Sequence, residues 1–217
     1  MIARLLDALL LTERSCLHCG KTFKPETQGY LCRSCLLSVR PAESFYEPPE
    51  LPGLDGLEYF ALYEGALREA VKLIKFKSVK PLACELAERF RRHLKSYLDE
   101  LGVPFVTFVP THFLRRWRRG FDHNELMLKC AGLPALKLLK RVRYARPLAG
   151  AKKEERERRV RDAFKALGTL ERVVLFDDVL TTGSTAVEAA RVLKAAGVKE
   201  VYLYALALEP PAPLPPP

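Results

Sequence analysis

The segment Val173-Val174-Leu175-Phe176-Asp177-Asp178-Val179-Leu180-Thr181-Thr182-Gly183-Ser184-Thr185 constrains this chain more than any other stretch. Its apolar run delivers two adjacent carboxylates, Asp177 and Asp178, to a carboxyl end, where open α/β sheets bind ligands. Thr181, Thr182, Gly183, Ser184 and Thr185 then supply successive N–H groups, hydroxyls and the start of an Ala-rich helix. Together these make an anion cradle. The alternative is an ordinary strand, turn and helix with one capping Ser or Thr, but a cap gives no reason for two acids on a buried strand. A diacid beside a phosphate cradle describes a sugar phosphate as ligand.

Elsewhere the hydrophobic period switches repeatedly. Leu57 to Tyr63, Phe105 to Val109, Val173 to Phe176 and Glu200 to Leu208 read as strands. Leu67, Val71 and Ile74, then Leu82, Leu86, Phe90, Leu94 and Leu98, recur at helical spacing. Asp122 to Ala131 and Thr185 to Ala196, closed by Gly197, read as further helices. Strands alternating with helices predict an α/β fold with a mainly parallel sheet flanked by helices. Pro41, Pro48, Pro49 and Pro52 stiffen an acidic connector, and six prolines after Glu209 exclude the tail from a core. The expected division is a small module over 1–40, a connector over 41–56, the α/β domain over 57–208 and a proline-rich tail over 209–217.

Composition narrows the class further. At 48% hydrophobic and 29% charged residues, the 217-residue chain departs from wholly disordered, collagen-like and coiled-coil sequences. Nothing approaches the roughly 20 apolar residues of a membrane span. Leu5 to Leu11 is broken by Asp7 and leads into Thr12-Glu13-Arg14 without a small-residue cleavage site, so it reads as a short amphipathic helix. A cytoplasmic compartment follows as the expectation, and with it cysteines that are ligands or free thiols. The single Asn, Asn124, and single Gln, Gln28, form a depletion sometimes seen in thermophile proteins.

Cys16-Leu17-His18-Cys19 and Cys32-Arg33-Ser34-Cys35 have the spacing of two metal knuckles. Such a pair presents four thiolates to a structural zinc ion, which substitutes for the core a small module lacks. Two disulfides are the alternative, and His18, inside the first knuckle, is read as a bystander. Cys84 and Cys130 stand alone on helical segments and read as buried apolar residues.

Lysines and arginines exceed acids by 36 to 26, a formal charge of +10 that favours polyanionic partners. The stretch from Lys137 to Lys165 holds twelve of these cations against four acids. A solvated charged face is the plain reading of such a run. Tyr144 within it, and Trp117 in the upstream Arg115-Arg116-Trp117-Arg118-Arg119 run, add base-stacking surfaces to phosphate neutralisation, as single-stranded nucleic acid requires.

The Val173–Thr185 segment resembles the 5-phosphoribosyl-1-pyrophosphate (PRPP) loop of type I phosphoribosyltransferases. From the cysteine knuckles to the last strand, about residues 10 to 208, the chain resembles the ComF family of competence proteins, which join a zinc module to a phosphoribosyltransferase-like domain. Tyr63 to Arg68, Leu73 to Lys77, Val109-Pro110, Arg119-Gly120-Phe121 and Arg156 carry the same likeness. The resemblance implies that Asp177 and Asp178 hold ribose hydroxyls, directly or through Mg²⁺, and that Thr181 to Thr185 wrap the 5′-phosphate. It also implies a pyrophosphate loop at Pro110 to His112, with Lys75, Lys77 and Arg119 among the partners for phosphate charge. The chain departs from the family pattern at Asp122, His123, Leu148 and Arg159.

Two functions follow from the resemblance. One is a PRPP-binding protein of natural transformation that handles incoming single-stranded DNA beside other competence-machinery proteins. The other is an active transferase moving the 5-phosphoribosyl group to a nucleobase or amine. Little chain after Leu208 remains to build a hood over an acceptor base. Assembly state is open at this level.

Overall fold

A computed structural model describes residues 13–24, 29–42, 49–143 and 161–210. The expected helix at Leu5 to Leu11, Tyr144, Leu148, Arg156, Arg159 and the proline run from 211 lie outside the described residues.

The first described segment carries a hairpin of β1 (Arg14–Ser15) and β2 (Thr22–Phe23) and a short helix α1 (Arg33–Ser38). The chain then runs through β3 (Gly56–Leu62), α2 (Gly65–Lys77), α3 (Lys80–Leu101), β4 (Val106–Phe108), α4 (Phe113–Arg119), α5 (His123–Ala131) and β5 (Ala135–Leu136). An antiparallel pair, β6 (Leu139–Arg141) with β7 (Phe164–Ala166), precedes β8 (Arg172–Leu180), α6 (Ser184–Ala195) and β9 (Glu200–Leu208). The main sheet has the order β3-β9-β8-β4-β5, and every pairing in it is parallel. The expected α/β class, preceded by a small four-cysteine module, is what the structure holds.

Strand alternation builds two apolar layers from single strands. Val174 and Phe176 of β8 with Tyr204 and Leu206 of β9 face α2, α3 and α5, where Phe90 stacks on Phe176. Val173 and Leu175 with Leu203 and Ala205 face α6, whose Ala186, Ala189 and Ala190 allow close approach to the sheet. Cys16, Leu31, Cys32, Cys35 and Val39 join the first of these layers. The N-terminal segment is held there by Glu85, which accepts from the Tyr30 N–H at 3.1 Å, and by Arg89 Nε, which donates to the Val39 carbonyl at 3.0 Å.

After β4 the chain moves outward to β5, whereas after β8 it moves the other way to β9. Neighbouring strands β4 and β8 therefore flank the topological switch point, where a crevice opens beyond the carboxyl ends. Pairing between them ends at Phe108 and Phe176, while β8 continues against β9 to Leu180. Asp177 and Asp178 thus stand just past the end of β4.

One expectation is corrected. Cys84 is exposed and Cys130 half-buried, and the two form a disulfide with Cα atoms 5.0 Å apart. Packing of α5 across α3 brings together residues 46 apart in sequence, a proximity that the helical periods do not encode. Among the described residues no helix is long and apolar enough to cross a membrane.

Candidate functional site

Cys16, Cys19, Cys32 and Cys35 place their sulfurs within 4.8 Å of one another. The Cys19 and Cys32 sulfurs lie 3.7 Å apart, and a tetrahedral ion with bonds of about 2.3 Å spaces its sulfurs by about 3.8 Å. The first knuckle folds back on itself, and the second is tied to it. Gly20, at φ +74°, donates its N–H to the Cys16 carbonyl at 2.9 Å, and the Cys32 N–H meets the Cys16 sulfur at 3.3 Å. The Ser34 hydroxyl, then the Cys35 N–H, lower the Cys32 thiol to about 6, whereas burial raises Cys35. Four thiols closing one cluster are a fit donor set for a metal ion with no open position.

The second site is an open cleft of about 600 Å³ at the switch point. Lys75, Arg115, Arg118, Arg119 and Arg141 line it, facing Asp177 and Asp178. Alternation sends the two acids to opposite faces of β8. Asp178, 3% exposed, enters the helical layer, where Lys75 Nζ and His123 Nε2 each approach its Oδ2 at 2.7 Å. His123 Nδ1 lies 2.8 Å from Arg119 Nη1 and 3.0 Å from Thr111 Oγ1. Because a guanidinium only donates, Nδ1 accepts and the Nε2 proton goes to Asp178.

Asp177 lies on the other face, and one of its oxygens is fully engaged: Oδ1 accepts from Asn124 Nδ2 at 3.2 Å and from the Asp178 N–H at 3.0 Å. Asn124 Nδ2 also donates to the Val109 carbonyl at 2.9 Å, which fixes the amide's orientation. Its Oδ1 is then a buried acceptor without a partner among the described residues. Asp122 caps α5 by accepting from the Asn124 N–H, and through Oδ2 takes the Thr111 N–H at 2.6 Å. One capping residue thereby ties the loop after β4 to the helix that carries His123 and Asn124.

These contacts split the electrostatics of the diacid. Burial, then the neighbouring Asp178 charge, raise Asp177 to about 7. Burial opposes ionisation of Asp178 too, but Lys75 and then His123 hold its carboxyl far below the usual range. Across the cleft, burial and then the Arg115 charge lower Arg141, whose Nε has no hydrogen-bond partner among the described residues.

Of the residues marked in the sequence, Asp177, Asp178, Lys75, Arg119 and Thr185 meet at this cleft. Thr181 is exposed, and the Thr182 and Ser184 hydroxyls bond each other at 2.9 Å. Gly183, at φ +74°, is the residue before α6, and a Cβ there would fall 2.5 Å from Leu51 Cδ2. Lys75 is paired with Asp178, and Arg119 with His123. Thr111, inside the expected pyrophosphate loop, also lines the cleft, whereas sequence reasoning gave no role to Asn124, Phe76 or Arg141 individually. Asn124 had a signal, as the sole Asn; Arg141 was hidden inside a long basic run.

No protein-family model matches the sequence. Similarity to individual proteins is extensive. Competence protein F of Haemophilus influenzae is 27% identical over 210 residues, covering 88% of this chain and 83% of its own. The resemblance to the ComF competence proteins holds over most of the chain. Competence protein ComFC of Streptococcus pneumoniae is 27% identical, with 91% and 90% covered. DNA utilization protein YhgH of Salmonella typhi is 28% identical, with 66% and 68% covered. Among solved structures, a purine phosphoribosyltransferase from Pyrococcus horikoshii is 22% identical, with 60% of this chain and 79% of that one covered and a TM-score of 0.36, a likeness too loose to bear weight.

Proposed function

We propose that this ComF-like chain binds PRPP with Mg²⁺ in the switch-point cleft and acts in DNA uptake, handling incoming single-stranded DNA in the cytoplasm. The observation that carries the first half is the meeting of a diacid, Thr185 in the first turn of α6, and five cationic side chains around one opening. Five cations against two acids suit a ligand with several phosphate charges. The free oxygen of Asp177 and the orphaned Oδ1 of Asn124 fit a hydrated divalent ion or a ribose hydroxyl, because both are acceptors awaiting a donor or a cation. When bound, Mg²⁺ would neutralise pyrophosphate charge. The chain's own part is to seat the 5′-phosphate at Thr181 to Thr185 and the ribose at Asp177, with Asp178 holding Lys75 and His123 in place. Arg119, Arg115 and Arg141 then face the remaining phosphates.

The DNA half rests on the named relatives and on the basic, aromatic surface beside the cleft, and other competence-machinery proteins are the partners it implies. The cysteine cluster is proposed as a structural zinc site of an N-terminal module over 1–40, joined through 41–56 to the phosphoribosyltransferase-like domain over 57–208, with 209–217 as a tail. Calorimetric titration with PRPP and Mg²⁺ tests the cleft. Binding should be measurable in the wild type and weaker by about 10- to 150-fold in Asp177→Asn, the worth of a charge-assisted contact. Equal affinity in the two proteins would move the ligand elsewhere.

A further inference from the structure

Phe76 is 67% exposed although its helix buries Leu67, Val71 and Ile74, and it lines the same cleft as the diacid. It follows directly on Lys75, whose ammonium is pinned to Asp178 at 2.7 Å, so the last turn of α2 is held in register with the carboxylates. Ser78, at φ +58°, ends the helix and turns the chain away, leaving the ring at the rim of the opening. Arg115 and Arg118 line the cleft with it, so the rim combines a flat apolar face with guanidinium planes. Such a combination receives a planar, electron-rich group that carries phosphate nearby.

We propose that Phe76 is a stacking platform for a nucleobase whose ribose and 5′-phosphate occupy the diacid and the Thr181–Thr185 turn. This inference rests on the reading of the cleft as a ribose-phosphate site. It assigns the role of base recognition to the end of α2, where the exposed Phe76 ring stands at the opening beside Arg115 and Arg118. The shared chemistry is a purine or pyrimidine face, delivered either as a free nucleotide or as the 5′-phosphorylated end of a single strand.

The test compares ribose 5-phosphate, AMP and a 5′-phosphorylated oligoadenylate by calorimetry in the wild type, Phe76→Ala and Phe76→Tyr. In the wild type AMP should bind more tightly than ribose 5-phosphate by about 5- to 150-fold, the range a stacked base contributes. Phe76→Ala should erase that advantage while leaving ribose 5-phosphate unchanged, and Phe76→Tyr should keep it. A matching loss for the oligoadenylate would extend the platform to strand ends; no loss there would restrict it to free nucleotides. An AMP advantage that survives Phe76→Ala, or that the wild type lacks, overturns the platform but leaves the ribose-phosphate site standing. Failure of ribose 5-phosphate and AMP alike to bind the wild type would overturn the reading of the cleft, and the platform with it.

Discussion

Strand alternation sends Asp177 and Asp178 to opposite faces of β8, and the consequences for pH are opposite as well. Asp178 is held ionised by Lys75 and then His123, so its contribution to stability is present above the ordinary carboxylate range and is lost as pH falls through it. Asp177 has its folded value raised by burial. The native state therefore binds its proton more tightly than the unfolded chain does, and ionising it costs stability as pH rises from the ordinary range through about 7. Asp177→Asn should melt at a higher temperature than the wild type at pH 8 while binding PRPP more weakly. Asp178→Asn should melt far lower, since breaking a buried pair costs about 3–5 kcal/mol. Scanning calorimetry of both variants at pH 5 and pH 8 checks the sign; a stabilised Asp178→Asn would mean that Lys75 needs no counter-charge and the His123 Nε2 proton no carboxylate acceptor. PRPP affinity should also rise between pH 6 and 8 with release of a proton, measurable in buffers of different ionisation enthalpy.

Among the elements, α3 carries the connections between the cysteine segment and the cleft. Glu85 and Arg89 hold the segment's backbone, and Cys84 on the same helix is bridged to Cys130 on α5, the helix bearing His123 and Asn124. In its described residues the cysteine segment has two short strands and one six-residue helix, little core of its own, and a metal held by the four cysteines would cross-link it. Metal analysis should find about one zinc per chain. Cys32→Ser should release it and speed amide exchange at Leu17 and Cys16, whose N–H groups bond to Tyr30 and Lys21, while exchange in β8 and β9 stays slow. Protein purified without chelators yet free of zinc would show that the four thiols serve otherwise. The elements themselves were largely legible, because β9 and α5 have strong periods and clear stops. The seven-residue α4 was not, since it buries none of its residues and so has no apolar stripe to read.

Across the whole molecule the excess of ten positive charges is spread unevenly, and α4 combines Arg115, Arg116 and Arg118 with Trp117, which is 82% exposed. If single strands bind through phosphate neutralisation and stacking, affinity should ignore sequence and fall with salt, with a log–log slope of about −0.7 per phosphate neutralised. Replacing Arg158, Arg159 and Arg161 with Ala should flatten that slope. Trp117→Ala should instead weaken binding by about 1–3 kcal/mol with the slope nearly unchanged. Filter binding with a single-stranded oligonucleotide at low salt is the check, and no complex there removes DNA from the proposed function.

Local pattern alone specified the α/β class, the cysteine knuckles and the strand that brings two acids to a carboxyl end, because hydrophobic period and ligand spacing act over a few residues and are written directly in the chain. The unequal fates of Asp177 and Asp178 were decided by the fold. They depend on where β4 stops, on α2 and α5 delivering Lys75 and His123 to one face, and on Asn124 reaching across the end of β4. The Cys84–Cys130 bridge and the half-buried Arg141 have the same origin. Each is a contact between residues far apart in sequence, whose energy comes from burial and from neighbours that a linear pattern does not specify.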